Sequence, residues 1–459
     1  MEKGKSRKVF LSFLGKTDYK ECFYTFEKEK SKNVKFVQNA IVGIFENNFD
    51  KRYILCTKSA KEKHYDSLVR ELGYNFEAVD ISEDITEKGI WEIFQQIYDV
   101  LNENDEIVFD ITHSFRFMPM LGITLLQMAK FLKNVKVKKV FYGAFEMSRL
   151  SKNINGEEIK EAPIIDITSF SMLQDWILAG YTLVNTGRAE EIEKLAKNDL
   201  TPILKESKGK NEEARNFRKI ADKIQQMTLN FRTNRGNEII TAHEMKEINE
   251  SVKEIKESNL LKPFKLVIEN IYSDTKKFEY KNEENIIYSI QWCIDKDLIQ
   301  QGMTMLQEGI TTLVLKEIGK ENKYTDINIR DIISYVLQSL NRKNELEAEK
   351  EKELDIQKLE KLSEILSESL EFNKEEILQK ETKKLKKIVE ERVLKEKILN
   401  IEKIKELSKI FADISGIRND INHAGFRPSP LDAKDFKIKL EKEFKKFKEI
   451  WENKNDVTE

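Results

Sequence analysis

Through about residue 168 the chain alternates short, uninterrupted apolar runs with amphipathic stretches, and this alternation limits its fold more than any other feature. Runs such as IVFDI (Ile107–Ile111) and VKKVFYGAF (Val137–Phe145) suit strands buried on both faces, as in a parallel sheet covered by helices. Strands are expected at Lys8–Leu14, Phe36–Ile44, Tyr53–Thr57, Phe76–Ile81, Glu106–Ile111 and Val137–Phe145. Helices are expected at Ser59–Leu72, Ile85–Asn102 and Phe117–Leu132. Strand–helix alternation at this spacing implies βαβ units and a doubly wound, Rossmann-like α/β sheet. Such sheets bind ligands beyond the carboxyl ends of their strands, at the point where strand order reverses.

Past Asp166–Thr168 the pattern turns almost wholly helical, so two domains are expected, 1–168 and 169–459. Gly187 should end the helix that holds Trp176. From about Asn341 to Lys409 there is neither Pro nor Gly among the Lys, Glu and Leu/Ile residues. That stretch reads as a charged helical insert, one or two long exposed helices forming a hairpin, with a coiled-coil surface as the sharper alternative.

Composition narrows the function. With 40% hydrophobic residues the chain can build a real core. A net charge of −2 argues against a standing nucleic-acid binder, though not against a transient one. Cys22, Cys56 and Cys293 lie far apart without a CxxC, so neither a disulfide framework nor a cysteine zinc site is expected. No run is long and apolar enough to span a membrane, and the apolar run Val9–Leu14 is too short for a signal peptide. A cytoplasmic protein without a membrane partner is the expectation.

Two constellations can carry chemistry. Asp110-Ile111-Thr112-His113-Ser114-Phe115-Arg116 spans a strand end and a helix start, where backbone N–H groups cradle anions and His113 and Arg116 add donors. The bland alternative is a turn in which Thr112 or Ser114 merely caps the helix. Gly15-Lys16-Thr17-Asp18-Tyr19 follows the first strand and should open on the same sheet edge. Its single glycine matches neither a dinucleotide fingerprint nor a Walker A loop. Hydroxyls, Lys, His and Arg on both loops still favour a nucleotide-like ligand.

The second is Arg418-Asn419-Asp420-Ile421-Asn422-His423. On one helix Arg418 and His423 sit about 140° apart and about 7.5 Å along the axis, so one helix does not aim both at a single atom. Arg418 and Asn422 do share a face. Imidazole exchanges protons near neutral pH and guanidinium clamps phosphate, which is the equipment RNA cleavage needs without a metal. A helix-end His and a solvated Arg are the plain alternative. In FRTNRGNEIITAH (Phe231–His243), Arg232, Asn234, Arg235 and His243 form either an RNA path or a polar helix face. His64 reads as a surface residue, and Trp176, Trp292, Met303, Met305 and Trp451 as core.

LSFLGKTDYKECFY (Leu11–Tyr24), KFVQNAIV (Lys35–Val42), DITHSFRFMPM (Asp110–Met120) and FYGAFE (Phe141–Glu146) resemble a CARF domain, the CRISPR-associated Rossmann fold. Arg418-Asn419-x-x-x-His423 and the upstream WCIDKDLIQQGMTMLQEG (Trp292–Gly309) resemble a HEPN ribonuclease domain. Together they look like the Csx/Csm-type CARF–HEPN ancillary ribonucleases of type III CRISPR systems. The resemblance implies a cyclic oligoadenylate activator, tetra-adenylate ahead of hexa-adenylate, held across a homodimer or higher homo-oligomer. It also implies metal-independent cutting of single-stranded RNA to 2′,3′-cyclic phosphate ends, with no resident cofactor. By position, Gly15, Lys16, Thr17, Thr112, His113, Ser114 and Arg116 match the ligand-cradling loops. Arg418, Asn419 and His423 match the nuclease motif. The alternatives keep the sensor but make the chain a nucleic-acid-binding regulator, or a ring nuclease that degrades its activator.

Overall fold

The computed structural model describes residues 6–113, 117–152, 158–254, 262–341, 357, 361, 375–426 and 428–455. They group into two compact units, Met1–Asp175 and Trp176–Glu459.

The first unit holds β1 (Lys8–Leu14), β2 (Cys22–Phe26), β3 (Glu29–Val34), α1 (Val37–Ile44), β4 (Lys51–Cys56), α2 (Lys58–Ala60), α3 (Asp66–Leu72) and β5 (Glu77–Asp80). It continues through α4 (Glu87–Asp99), β6 (Glu106–Asp110), α5 (Met118–Lys133), β7 (Lys136–Gly143), β8 (Arg149–Lys152) and β9 (Glu158–Asp166). Among the described residues the strands form one sheet in the order β3-β2-β9-β7-β6-β1-β4-β5, with β8 on β9. Its core, β7-β6-β1-β4-β5, is parallel. Strand periodicity sends Phe10 and Leu14 to one face, against Val37, Ile41 and Leu68, and Val9, Leu11 and Phe13 to the other, against Ile97, Leu125 and Leu126. Both faces are thus covered by helices, as a doubly wound sheet requires. The chain runs outward from β1 through β4 and β5, then returns to β1's other side at β6, so the order reverses between β1 and β6.

Phe36–Ile44, expected as a strand, is instead helix α1 after Phe36. A continuously apolar run of this length has no periodicity to separate strand from buried helix. The helix buries Val37–Val42 on every side and pairs the NH2 groups of two buried amides: Gln38 Nε2 donates to Phe13 O at 2.8 Å and Asn39 Nδ2 to Leu68 O at 3.2 Å, while their amide oxygens accept no hydrogen bond among the described residues. The strands β2, β3, β8 and β9 were not expected. β3 is a charged sheet edge, the usual protection of an exposed strand. β9 contains Pro163, which on one edge sits between the stretch pairing β8 and the stretch pairing β7 and on the other is the register partner of Thr25 in β2.

The second unit starts within α6 (Thr168–Thr186), and Gly187 ends that helix in the left-handed region at φ 64°. There follow α7 (Glu190–Glu206), α8 (Glu212–Arg232), α9 (Gly236–Thr241), α10 (His243–Glu254), α11 (Lys262–Thr275), α12 (Asn285–Asp295), α13 (Ile299–Glu317) and α14 (Ile327–Asn341). After these come α15 (Glu375–Leu399), α16 (Ile404–Asn422) and α17 (Asp435–Asn455). Of the 341–409 insert, the part before α15 lies outside the described residues except Asn341, Gln357 and Lys361. One apolar core runs from Trp176 to Trp451 and takes in Trp292, Met303 and Met305, as expected. α13 is its axle, packed by α12, α14, α16 and α17. Gly302 lets α17 close on it: a Cβ there would stand 2.7 Å from Leu440 Cδ2. No helix among the described residues is long and apolar enough to cross a membrane.

Candidate functional site

The first constellation lies where strand order reverses, on the loops after β1 and β6. Ser12 and Asp110 are register partners on these strands and both are fully buried. Ser12 Oγ donates to Asp110 Oδ2 at 2.6 Å, while Thr112 N and Thr112 Oγ1 donate to Oδ1 at 3.0 and 2.5 Å. Burial outweighs these bonds and pushes the Asp110 carboxyl up to about 6. The Thr112 hydroxyl also accepts the Gly143 N–H at 2.8 Å, so it knits β6 to β7 and stands occupied. A Cβ at Gly143 would meet Val37 Cγ2 at 2.5 Å, which is why the close approach needs glycine.

Tyr19 joins the two loops. Its hydroxyl accepts the Gly15 N–H at 2.9 Å and donates to Gly15 O at 3.3 Å. Its ring stands edge-on to His113, with centroids 4.4 Å apart, and edge-on to His64 at 4.9 Å. His64, expected at the surface, is buried at 4% exposure. It lies in the π turn Lys61–Tyr65, where one extra residue in the helical turn shifts which side chains face inward. Burial lowers the His113 imidazole to about 4, only partly offset by Glu146, so the ring is neutral at pH 7. Neither His64 Nε2 nor His113 Nε2 has a hydrogen-bond partner among the described residues. Lys16 and Thr17 are exposed. Lys63 Nζ fastens this loop through Lys16 O at 3.0 Å and Asp18 at 2.7 Å, leaving the Lys16 ammonium without a salt bridge among the described residues. Ser114 and Arg116 lie outside the described residues. The structure therefore brings Gly15 and His113 together through Tyr19 of the same loop, and adds His64, which the sequence reads as a surface residue.

The second constellation ends α16. Gly425 N donates to Asp420 O at 3.1 Å and Ala424 N to Ile421 O at 2.9 Å, a Schellman pairing with Ala424 at φ 52° and His423 as the C-cap. Asp420 is buried and takes Leu431 N at 2.8 Å, which pulls the following loop back onto the helix. His423 and Asn419 are left exposed. Arg418 is half-buried, its Nη1 donating to Gln307 Oε1 at 2.7 Å, and Asn422 Oδ1 accepts Gln300 Nε2 at 3.2 Å. The shared face of Arg418 and Asn422 is thus turned to α13, while His423 stands at the helix end. No hydrogen bond joins Arg418 to His423. Gln300 and Gln307 were not singled out; both sit in the Trp292–Gly309 segment, seven apart and so nearly one face of a helix.

Arg232, considered as an RNA contact, is tied to Glu190. His243 is exposed, 3.6 Å from Glu247. Among the described residues no group of three or more His, Cys, Asp or Glu is placed to hold a metal.

Residues 9–146 match the family model of the CARF domain of the CRISPR system endoribonuclease Csx1. Residues 172–283 match the second domain of CRISPR-associated protein MJ1674. The chain is 26% identical over 236 residues to CRISPR-associated protein MJ1674 of Methanocaldococcus jannaschii, a match covering 49% of this chain and 32% of that protein. It therefore spans about a third of that relative's length. The two family matches stop short of Arg418, Asn419 and His423.

Proposed function

Because residues 9–146 form a CARF domain of the Csx1 type in a CRISPR-associated chain, we propose that this protein is a ribonuclease switched on by cyclic oligoadenylate. The observation that carries the reading is the end of α16, where a Schellman turn exposes His423 while Gln307 orients Arg418 beside it in the chain. The 2′-hydroxyl of the RNA gives its proton to water as its oxygen attacks the adjacent phosphorus, the bond to the 5′-oxygen breaks, and a 2′,3′-cyclic phosphate remains. Arg418 stabilises the charge gathering on phosphorus, and His423 delivers the proton that the departing 5′-oxygen takes. Because one helix turns the two side chains apart, two copies of the chain supply one working site, each adding its Arg418, Asn419 and His423.

The activator, cyclic tetra-adenylate ahead of hexa-adenylate, is two-fold symmetric, so a dimer offers each half-ring the same loops. Gly15, Lys16, Thr17 and His113 take the ring in this reading, Thr112 holds their loop in place, and Ser114 and Arg116, outside the described residues, join them by motif alone. The ring activates by binding the cutting arrangement more tightly than the resting one. The test is a fluorogenic single-stranded RNA incubated with the protein and each ring separately, with chelator present. Cleavage that needs a ring and ignores chelator supports the reading; no cleavage with either ring contradicts it.

A further inference from the structure

A cavity of about 290 Å³ opens in the helical unit between α13 and the turn from α8 to α9. Ile240, Ile286 and Met305 give it an apolar floor, and Thr304 and Asn234 add polar groups. The floor is tight, since a Cβ at Gly309 would stand 2.7 Å from Ile286 Cγ2. Asn234 holds the left-handed region at φ 54°, and Gln301 Nε2 pins its turn to α13 through Arg232 O at 3.2 Å. Asn234 Oδ1 is enclosed and accepts no hydrogen bond among the described residues. Enclosed polar atoms are ordinarily paired, so an unpaired acceptor on a residue that lines the cavity marks the side chain that a ligand's donor would engage as the amide turns toward it.

A carboxamide offers a donor and an acceptor side by side, the complement of a nucleobase edge. Arg330, held by Tyr324 O at 3.0 Å and Glu308 Oε2 at 2.5 Å, lines the same cavity with a guanidinium of the kind on which unpaired bases stack. The volume falls at the small end of ligand pockets, about 300–1,000 Å³, room for one base and not for a stacked run. Thr304 lies between Gln300 and Gln307, which hold Asn422 and Arg418, so the cavity's lip is roughly one helical turn from either. Arg235, exposed next to Asn234, makes no ion pair among the described residues and suits a phosphate.

We infer that this cavity takes one unpaired base of single-stranded RNA and sets the base preference of the Arg418–His423 end; the inference rests on the ribonuclease reading. The test uses His423→Ala protein with cyclic tetra-adenylate, and labelled single-stranded RNA decamers carrying one abasic ribose at each position in turn. Anisotropy should find one position where base removal weakens binding roughly 5- to 100-fold. In an Asn234→Gly background, which keeps the left-handed turn, that penalty should vanish; Thr304→Val should shrink it. A flat abasic scan, or a penalty unchanged in Asn234→Gly, overturns the pocket even where the wild type cuts RNA. An Asn234-dependent penalty with no cutting by the wild type keeps the pocket and removes the nuclease. Failure to bind any decamer overturns both.

Discussion

Tyr19 stands edge-on against His113, ring centroids 4.4 Å apart, while its hydroxyl grips both backbone polar groups of Gly15. One buried side chain therefore fixes the spacing of the two loops assigned to the activator.

Tyr19→Phe keeps the ring contacts and leaves the Gly15 N–H without its partner. The expected cost is about 1–3 kcal/mol of unfolding free energy, the range for an orphaned backbone donor. Activator affinity should fall as well, because Gly15 no longer holds its place against His113. Calorimetry with cyclic tetra-adenylate alongside thermal unfolding checks both; lost stability with unchanged affinity separates this loop from the ligand.

Asp110 and His113 give opposite pH dependences. The Asp110 carboxyl, raised by burial from 3.8 to about 6, binds more protons folded than unfolded, so its contribution to stability falls as pH rises through that window. The His113 imidazole, lowered by burial from 6.5 to about 4, binds fewer protons folded, so its contribution rises with pH from 4 to 6.5. In Asp110→Asn the amide can donate to Ser12 Oγ, whose hydroxyl then donates to Phe13 O, 3.2 Å away. The variant's stability relative to wild type should therefore climb between pH 4 and 6, by up to about 3 kcal/mol at 1.36 kcal/mol per unit. Urea unfolding of both proteins from pH 4 to 7.5 measures the difference, and a difference that does not change with pH contradicts it.

Gln307→Ala frees the Arg418 guanidinium from α13 without touching His423. Activated RNA cleavage should drop on the order of 10-fold through loss of positioning, with the thermal midpoint nearly unchanged. Gln307→Glu, which restores an acceptor, should recover part of the rate. Equal rates in all three proteins would show that the Gln307 bond does not orient Arg418 for chemistry.

The parallel core was legible because β1, β6 and the C-terminal halves of β4 and β7 are largely buried on both faces and so read as apolar runs. The same property misled at Phe36–Ile44, where only the polar Gln38 and Asn39 interrupt the apolar run and both are buried in helix α1. The edge strand Glu29–Val34 is polar because it is an edge, which erases the apolar signal that finds central strands. His64 depends on a π turn and on a ring 45 residues earlier in the chain, neither visible in KEKHY. Arg418 and His423 stand out by motif alone; the divergence expected of them on one helix matches Arg418 turning to α13 while His423 caps the end. The glutamines that hold Arg418 and Asn422 lie on α13, and long-range pairing of this kind leaves no local trace.

The most direct measurement is cleavage of single-stranded RNA by wild-type and His423→Ala proteins, each with cyclic tetra-adenylate and chelator, with product ends analysed. Wild type should cut and leave 2′,3′-cyclic phosphates. His423→Ala should bind the ring normally and cut roughly 10²–10⁴-fold more slowly. Undiminished cleavage by His423→Ala, or a wild type that cuts only when a divalent metal is supplied, would contradict the account.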